Sequence, residues 1–236
     1  MEAWWAALGL TALEGEALGL SLWVSFWAML GSLPPAVAVA WVLARLRFPG
    51  KTLVDGLVHL PLVLPPVVTG YLLLVVLGRR GVLGAWLHDH LGITLAFTWK
   101  GAAVASAVLA FPLLVRAIRL SLEAVDQGLE QAARTLGASR LRVFFTITLP
   151  LTLPGVLSGM VVAFARGLGE FGATITFVSN IPQETRTLPL ALYSVLQVPG
   201  GEQAAMRLCV ISMALALLAL LASELLSRRL AARLRG

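Results

Sequence analysis

The chain has 236 residues, of which 58% are hydrophobic and only 13% charged, and it carries a net charge of +6. A soluble domain is about 25% charged, so a soluble fold is excluded and a membrane protein is expected. The basic residues sit at the ends of apolar runs and form no single face, which removes nucleic acid as a partner, and one cysteine, Cys209, leaves no disulfide framework or thiolate cluster.

The N-terminal stretch carries Glu2, Glu14 and Glu16 and has no Lys or Arg before its first apolar run. It lacks the positive region of a cleaved signal and reads as mature sequence. Trp4 and Trp5 predict a helix at the membrane interface. Five windows reach the roughly 20 residues of a bilayer crossing: 18–44, 53–77, 96–118, 151–177 and 205–227. GSLPP at 31–35 is expected to break the first, and HLPLVLPPVVTG at 59–70 puts three prolines inside the second. Prolines free carbonyls that lipid cannot satisfy, so such segments must pack on other helices or line a wet cavity.

Shorter features fall between the spans. PGKT at 49–52 ends like a phosphate-binding loop, but Arg45 stands where that motif needs glycine and no strand precedes it, so Lys51 reads as an anchor. Asp55 and His59, one turn apart, predict a local hydrogen bond. The stretch GRRGVLGAWLHDHLGIT at 78–94 is too polar to span and is expected to be a loop, with HDH at 88–90 solvated for want of further metal ligands. The apolar run 188–198 is too short to cross and predicts a short helix dipping into the protein. Twelve Lys and Arg fall on the side of residues 45–51, 116–142 and 228–235, against Arg79, Arg80, Lys100, Arg186 and Arg207 on the other. The positive-inside rule then puts the N-terminus outside and the C-terminus in the cytoplasm.

The stretch 129–155, LEQAARTLGASRLRVFFTITLPLTLPG, has strong local signals. Asp126 can cap a helix whose apolar stripe is Leu129, Ala132, Ala133 and Leu136. Glu130 and Arg134 are spaced for a helical ion pair. Gly137 suits the left-handed residue past a helix end, and Ser139 can cap a second helix that Pro150 stops or bends. By pattern alone, lipid headgroups are the commoner home of such a helix.

The exact letters add more. QAARTLG at 131–137, nine residues, then ITLP at 147–150 resembles the cytoplasmic signature of ABC-importer permeases: Glu-Ala-Ala, three residues, Gly, nine residues, Ile-x-Leu-Pro. Gln131 stands at the family's Glu, with Glu130 just before it. FPGK (48–51), HLPLVLPPVVTGYLLLVVLGRRG (59–81) and FARGLGEFGATITFVSNIPQETRTLP (164–189) are similar to the permeases of molybdate importers; sulfate and thiosulfate permeases share that architecture.

The resemblance implies an all-α polytopic membrane protein of the type I importer class. It would be one permease domain over 1–236, with five transmembrane helices and a cytoplasmic coupling helix in 121–149. Glu130, Gln131, Ala132, Ala133, Leu136 and Gly137 would dock into an ATPase. Two copies of the chain would form a homodimer with two ATP-binding subunits and an extracytoplasmic molybdate-binding protein, in membrane lipid of the bacterial inner membrane. Molybdate or tungstate would move by alternating access; sulfate or thiosulfate is the alternative cargo. ATP and Mg would belong to the partner, leaving this chain without catalytic, cofactor or metal site. A membrane enzyme would need a nucleophile with its base, or a metal cluster, at one depth; three His and one Cys are scattered. A passive channel has no use for a docking helix.

In the fourth span Arg166 and Glu170 lie one turn apart. Charges at membrane depth point to function: Arg166 beside the anion path, or the two neutralising each other and locking the helix. Phe171 is a candidate gate residue, the glycines of 167–173 allow close packing, and Thr174, Thr176, Ser179 and Asn180 are candidates for the outer path.

Overall fold

The computed structural model describes residues 9–235, with backbone alone for 223 and 226–235. The helix expected around Trp4 and Trp5 lies outside the described residues. Helix α1 (Ala12–Arg45) starts in a reciprocal cap: Thr11 Oγ1 accepts from the Glu14 N–H, and Glu14 returns a carboxylate oxygen to the Thr11 N–H at 2.8 Å. GSLPP does not break α1. Only two N–H groups are lost at Pro34 and Pro35, and a face of small residues, among them Ala28, Ser32, Ala36 and Ala40, holds the helix against its neighbours through this region.

The second window does break. Helices α2 (Lys51–Val63) and α3 (Pro66–Leu77) meet at 111°. Leu64 and Pro65 each precede a proline and are held extended, with ψ of 141° and 133°. α2 buries no side chain fully, so no packing pulls it into line with α3. The polar stretch after α3 is not a loop: it forms α4 (Val82–Leu91), closed by Gly92 in the left-handed region.

Helix α5 (Trp99–Glu123) is the axis of the bundle, with α1 along one side and α8 (Leu149–Leu168) along another. Four residues on α8, Gly155, Gly159, Ala163 and Gly167, repeat every fourth position, and a Cβ on Gly159 would come within 2.9 Å of the Ala117 Cβ on α5. Small residues at this spacing let membrane helices pack backbone to backbone. Leu43, Leu114, Val115 and Ile118 fill the core where α1, α5 and α8 meet.

α8 ends at Leu168, and the chain restarts as the short α9 (Gly172–Val178), which packs against α3 and α5. The single span expected over 151–177 is therefore two pieces. Helix α10 (Leu188–Leu196) buries Leu188, Leu190 and Ala191, as the short dipping helix should, and α11 (Glu202–Arg235) packs on α8 and α10. Among the described residues, four helices are long and apolar enough to cross a membrane, or five spans if the bent α2–α3 pair counts as one.

Candidate coupling surface and membrane-depth ion pair

The 121–149 segment is built from local signals. Helix α6 (Gln127–Thr135) is capped by Asp126, which accepts the Gly128 N–H at 2.8 Å. Gly137 sits at φ +89°, and the Gly137 and Ala138 N–H groups return to the Arg134 and Ala133 carbonyls at 3.0 and 3.1 Å. This paired closure satisfies the last carbonyls of α6 and needs a left-handed residue at 137. Ser139 then caps α7 (Arg140–Val143), accepting the Arg142 N–H at 3.3 Å.

Pro150 does not stop the second helix. α7 runs through a π turn (Phe144–Thr148) directly into α8, with the Leu149 N–H reaching back to the Phe144 carbonyl. The π turn lies immediately before Pro150, which has no N–H to give to a carbonyl of the preceding turn.

The two faces of α6 differ sharply. Leu129, Ala132 and Leu136 point away from the bundle, and Leu136 is 89% exposed while Ala133 is half-buried. Gln127, Glu130, Gln131 and Arg134, on the opposite side, line a cavity against the C-terminal half of α1. Glu130 does not pair with Arg134 as expected. Its Oε1 accepts from Arg45 Nη2 on α1 at 2.7 Å and from Thr148 Oγ1 at 2.7 Å. Those two donors are held by the membrane helices, whereas Arg134 is exposed. Of the expected coupling set, Leu136, Ala132 and Gly137 face outward, while Glu130 and Gln131 face the chain's own α1.

At the far end of α8, Arg166 Nη1 donates to Glu170 Oε2 at 2.7 Å. The other oxygen, Oε1, accepts the Ala173 N–H at 2.8 Å, and Glu170 is 3% exposed. Glu170 thus satisfies the first turn of α9 while neutralising Arg166, which is why the helix can break at this depth. The Phe171 ring lies 5.2 Å from that of Tyr193. Thr174, expected on the outer path, is buried. Thr176 donates to the Gly172 carbonyl at 2.9 Å, and Asn180 donates to Ser194 Oγ at 2.7 Å, so both serve local structure. Ser179 accepts through its carbonyl from Thr185 Oγ1 at 3.0 Å.

HDH lies in helix α4: Thr94 Oγ1 and His88 Nδ1 are 3.2 Å apart, and among the described residues no group of three His, Cys, Asp or Glu could hold a metal ion. His59 Nδ1 lies 2.8 Å from the Asp55 carbonyl, the local contact expected, and Asp55 also receives Arg119 at 3.1 Å. Sequence reasoning missed this last pair, which spans 64 positions, and two further long-range ion pairs. Arg45 with Glu130 is one. The other joins Arg207 on α11 to Glu14 on α1 at 2.8 and 2.9 Å, with a further bond to the Gly9 carbonyl at 3.0 Å. The spacing Thr11–Glu14 is a capping-box signal that could have located Glu14; no local pattern names its arginine.

Residues 36–235 match the family model described as binding-protein-dependent transport system inner membrane component. The chain is 66% identical to the molybdenum transport system permease protein ModB of Escherichia coli (strain K12), over 93% of this chain and 96% of that one. It is 40% identical to the sulfate transport system permease protein CysT of the same organism, over 67% of this chain and 57% of that one. Its fold matches that of a bacterial alginate ABC transporter solved in complex with an alginate-pentasaccharide-bound periplasmic protein, with a TM-score of 0.74 and 18% identity over 97% of this chain and 83% of that one. A continuous apolar bundle, a capped amphipathic helix beside it and these likenesses agree: the chain belongs to the family of binding-protein-dependent transport system inner membrane components.

Proposed function

We propose that this chain is the membrane permease of an ATP-driven importer whose cargo is molybdate, with tungstate as a near-isosteric second cargo. The observation that carries the cargo is the 66% identity to a molybdenum permease over nearly the whole of both chains. The sulfate relative is more distant and shares little more than half its own length with this chain, which favours molybdate over sulfate or thiosulfate.

The orientation follows from the Lys and Arg bias, with the N-terminus outside and α6 and the C-terminus in the cytoplasm. α6 docks by its outward stripe, Leu129, Ala132 and Leu136, into an ATP-binding subunit. ATP and Mg belong to that subunit, and the catalytic chemistry with them. Glu130 and Gln131 lie behind the docking face, and Glu130 passes its displacement to α1 through Arg45 and to the root of α8 through Thr148. Two states of the ATPase pair thereby select two states of the membrane helices, the requirement for alternating access.

Two copies of the chain enclose one pathway. What supports this is the bend between α2 and α3. Its irregular backbone lies within an apolar stretch, and Val63 beside it is 82% exposed on the single chain. Backbone of this kind is tolerated at membrane depth only against protein or water, so a second copy or the passage itself faces it. Arg166 is neutralised by Glu170, which suits transit better than a strong fixed anion site. Phe171, next to Glu170 in the chain and 5.2 Å from the Tyr193 ring, is the candidate gate residue beside this pair. An extracytoplasmic binding protein delivers the anion.

The test is ATP hydrolysis by the chain reconstituted with its ATPase and binding protein, with molybdate, tungstate, sulfate or no anion. Stimulation by molybdate or tungstate at far lower concentration than sulfate is expected. Stimulation by sulfate alone would overturn the cargo, and no association with an ATPase would overturn the coupling role.

A further inference from the structure

We propose that the cavity between the C-terminal half of α1 and the α6–α7 segment binds an anionic phospholipid of the cytoplasmic leaflet. The cavity holds about 850 Å³ and is amphipathic along its length. One end presents the guanidinium groups of Arg45, Arg134 and Arg140 against one carboxylate, that of Glu130. Glu130 is engaged by Arg45 at 2.7 Å, so this end has an excess of two positive charges. The wall leading away from it is a continuous face of α1: Pro34, Val37, Ala38 and Trp41, spaced i, i+3, i+4 and i+7.

Depth matches chemistry. From Pro34 to Arg45 the helix rises about 16 Å at 1.5 Å per residue. One hydrocarbon leaflet is about 15 Å, half of the ~30 Å core. A phosphate held by the arginines therefore places its acyl chains along Pro34, Val37 and Ala38, with Trp41 at the interfacial level where tryptophan prefers to lie. A soluble oxyanion would use the arginines and leave the apolar wall uncovered. A zwitterionic lipid would cover the wall and leave the charge uncompensated. Basic pockets between membrane helices on the cytoplasmic side suit anionic headgroups for this reason.

The site does not compete with docking of the ATPase, because its α6 residues lie opposite Leu129, Ala132 and Leu136. It rests on the proposed cytoplasmic placement of α6. Its test reads lipid and not transport, so the two proposals can fail separately.

The experiment is native mass spectrometry of the permease–ATPase complex in mild detergent, exchanged with phosphatidylglycerol or phosphatidylcholine. Phosphatidylglycerol should be retained preferentially. Arg134→Gln with Arg140→Gln should weaken that retention by roughly thirtyfold. Ala38→Phe, at an exposed position, fills the apolar wall and should expel the lipid while leaving the arginines in place. Equal retention of the two lipids overturns the proposal. So does displacement by millimolar inorganic phosphate in a complex whose lipid retention Ala38→Phe leaves unchanged, which would make the cavity a soluble-oxyanion site.

Discussion

Helix α1 is tied at each end by a glutamate–arginine pair, and the two ties are built differently. At the N-terminal end Glu14 is buried, receives Arg207 through two nitrogens, and caps its own helix through the Thr11 N–H. Every oxygen is committed, and the fork geometry admits one arrangement. At the other end Arg45 reaches Glu130 through one nitrogen, and Glu130 divides the same oxygen between Arg45 and Thr148 beside an open cavity. The same two residue types give a fixed joint in one place and a joint with room to turn in the other. The joint with room is the one beside α6, the helix proposed to dock the ATP-binding subunit.

Removing Arg207 should have the largest effect. Arg207→Ala leaves the Glu14 carboxylate buried without its cation, at about 3 kcal/mol or more. Thermal unfolding of the solubilised complex should fall by about 6–12 °C; no change would mean that the outer tie fixes nothing. Gly137→Val acts on the other end. A Cβ at Gly137 meets nothing within 4 Å, so the cost is that of placing a β-branched residue at φ +89°, about 1–3 kcal/mol. The chain should still insert, while uptake falls at least tenfold and ATP hydrolysis continues. Wild-type uptake would remove α6 from the coupling path.

Glu130→Gln is gentler, since an amide oxygen still accepts a hydrogen bond, and about 1 kcal/mol is lost with the charge. Uptake should drop severalfold with a much smaller melting shift than Arg207→Ala gives. Equal shifts would make the two ties alike and erase the contrast. Leu136→Ser should move the chain's own stability by no more than about 0.5 kcal/mol, because the side chain is already exposed. Its effect should appear in weaker retention of the ATPase on size-exclusion chromatography, and unchanged retention would turn the stripe back toward lipid.

What the sequence made legible was local. Asp126, Gly137 and Ser139 each act within a few residues, and each does in the structure what its type and spacing predict. The partner of Glu130 was not legible. Arg45 is 85 positions away and Arg134 only four, so spacing favoured the pair that did not form. The prolines show the same limit. Pro34–Pro35 and Pro65–Pro66 look alike in sequence, yet only the second pair breaks its helix, because α1 is held by a buried face and α2 has no fully buried side chain. The break at Gly169–Phe171 depends on Glu170 turning inward to cap α9, which the apolar count over 151–177 cannot register.

The unbroken run from Arg140 to Leu168 has a mechanical consequence. α8 alone, 20 residues, is a rod about 30 Å long with the π turn at its foot. A tilt of about 10° there swings Leu168 through about 5 Å on that length. The helix runs without a break past Pro154, and small residues line its flank against α5. It is a lever whose short arm ends at Leu141 and whose long arm carries Arg166, so a modest push at its foot arrives as a displacement the size of a side chain at its other end.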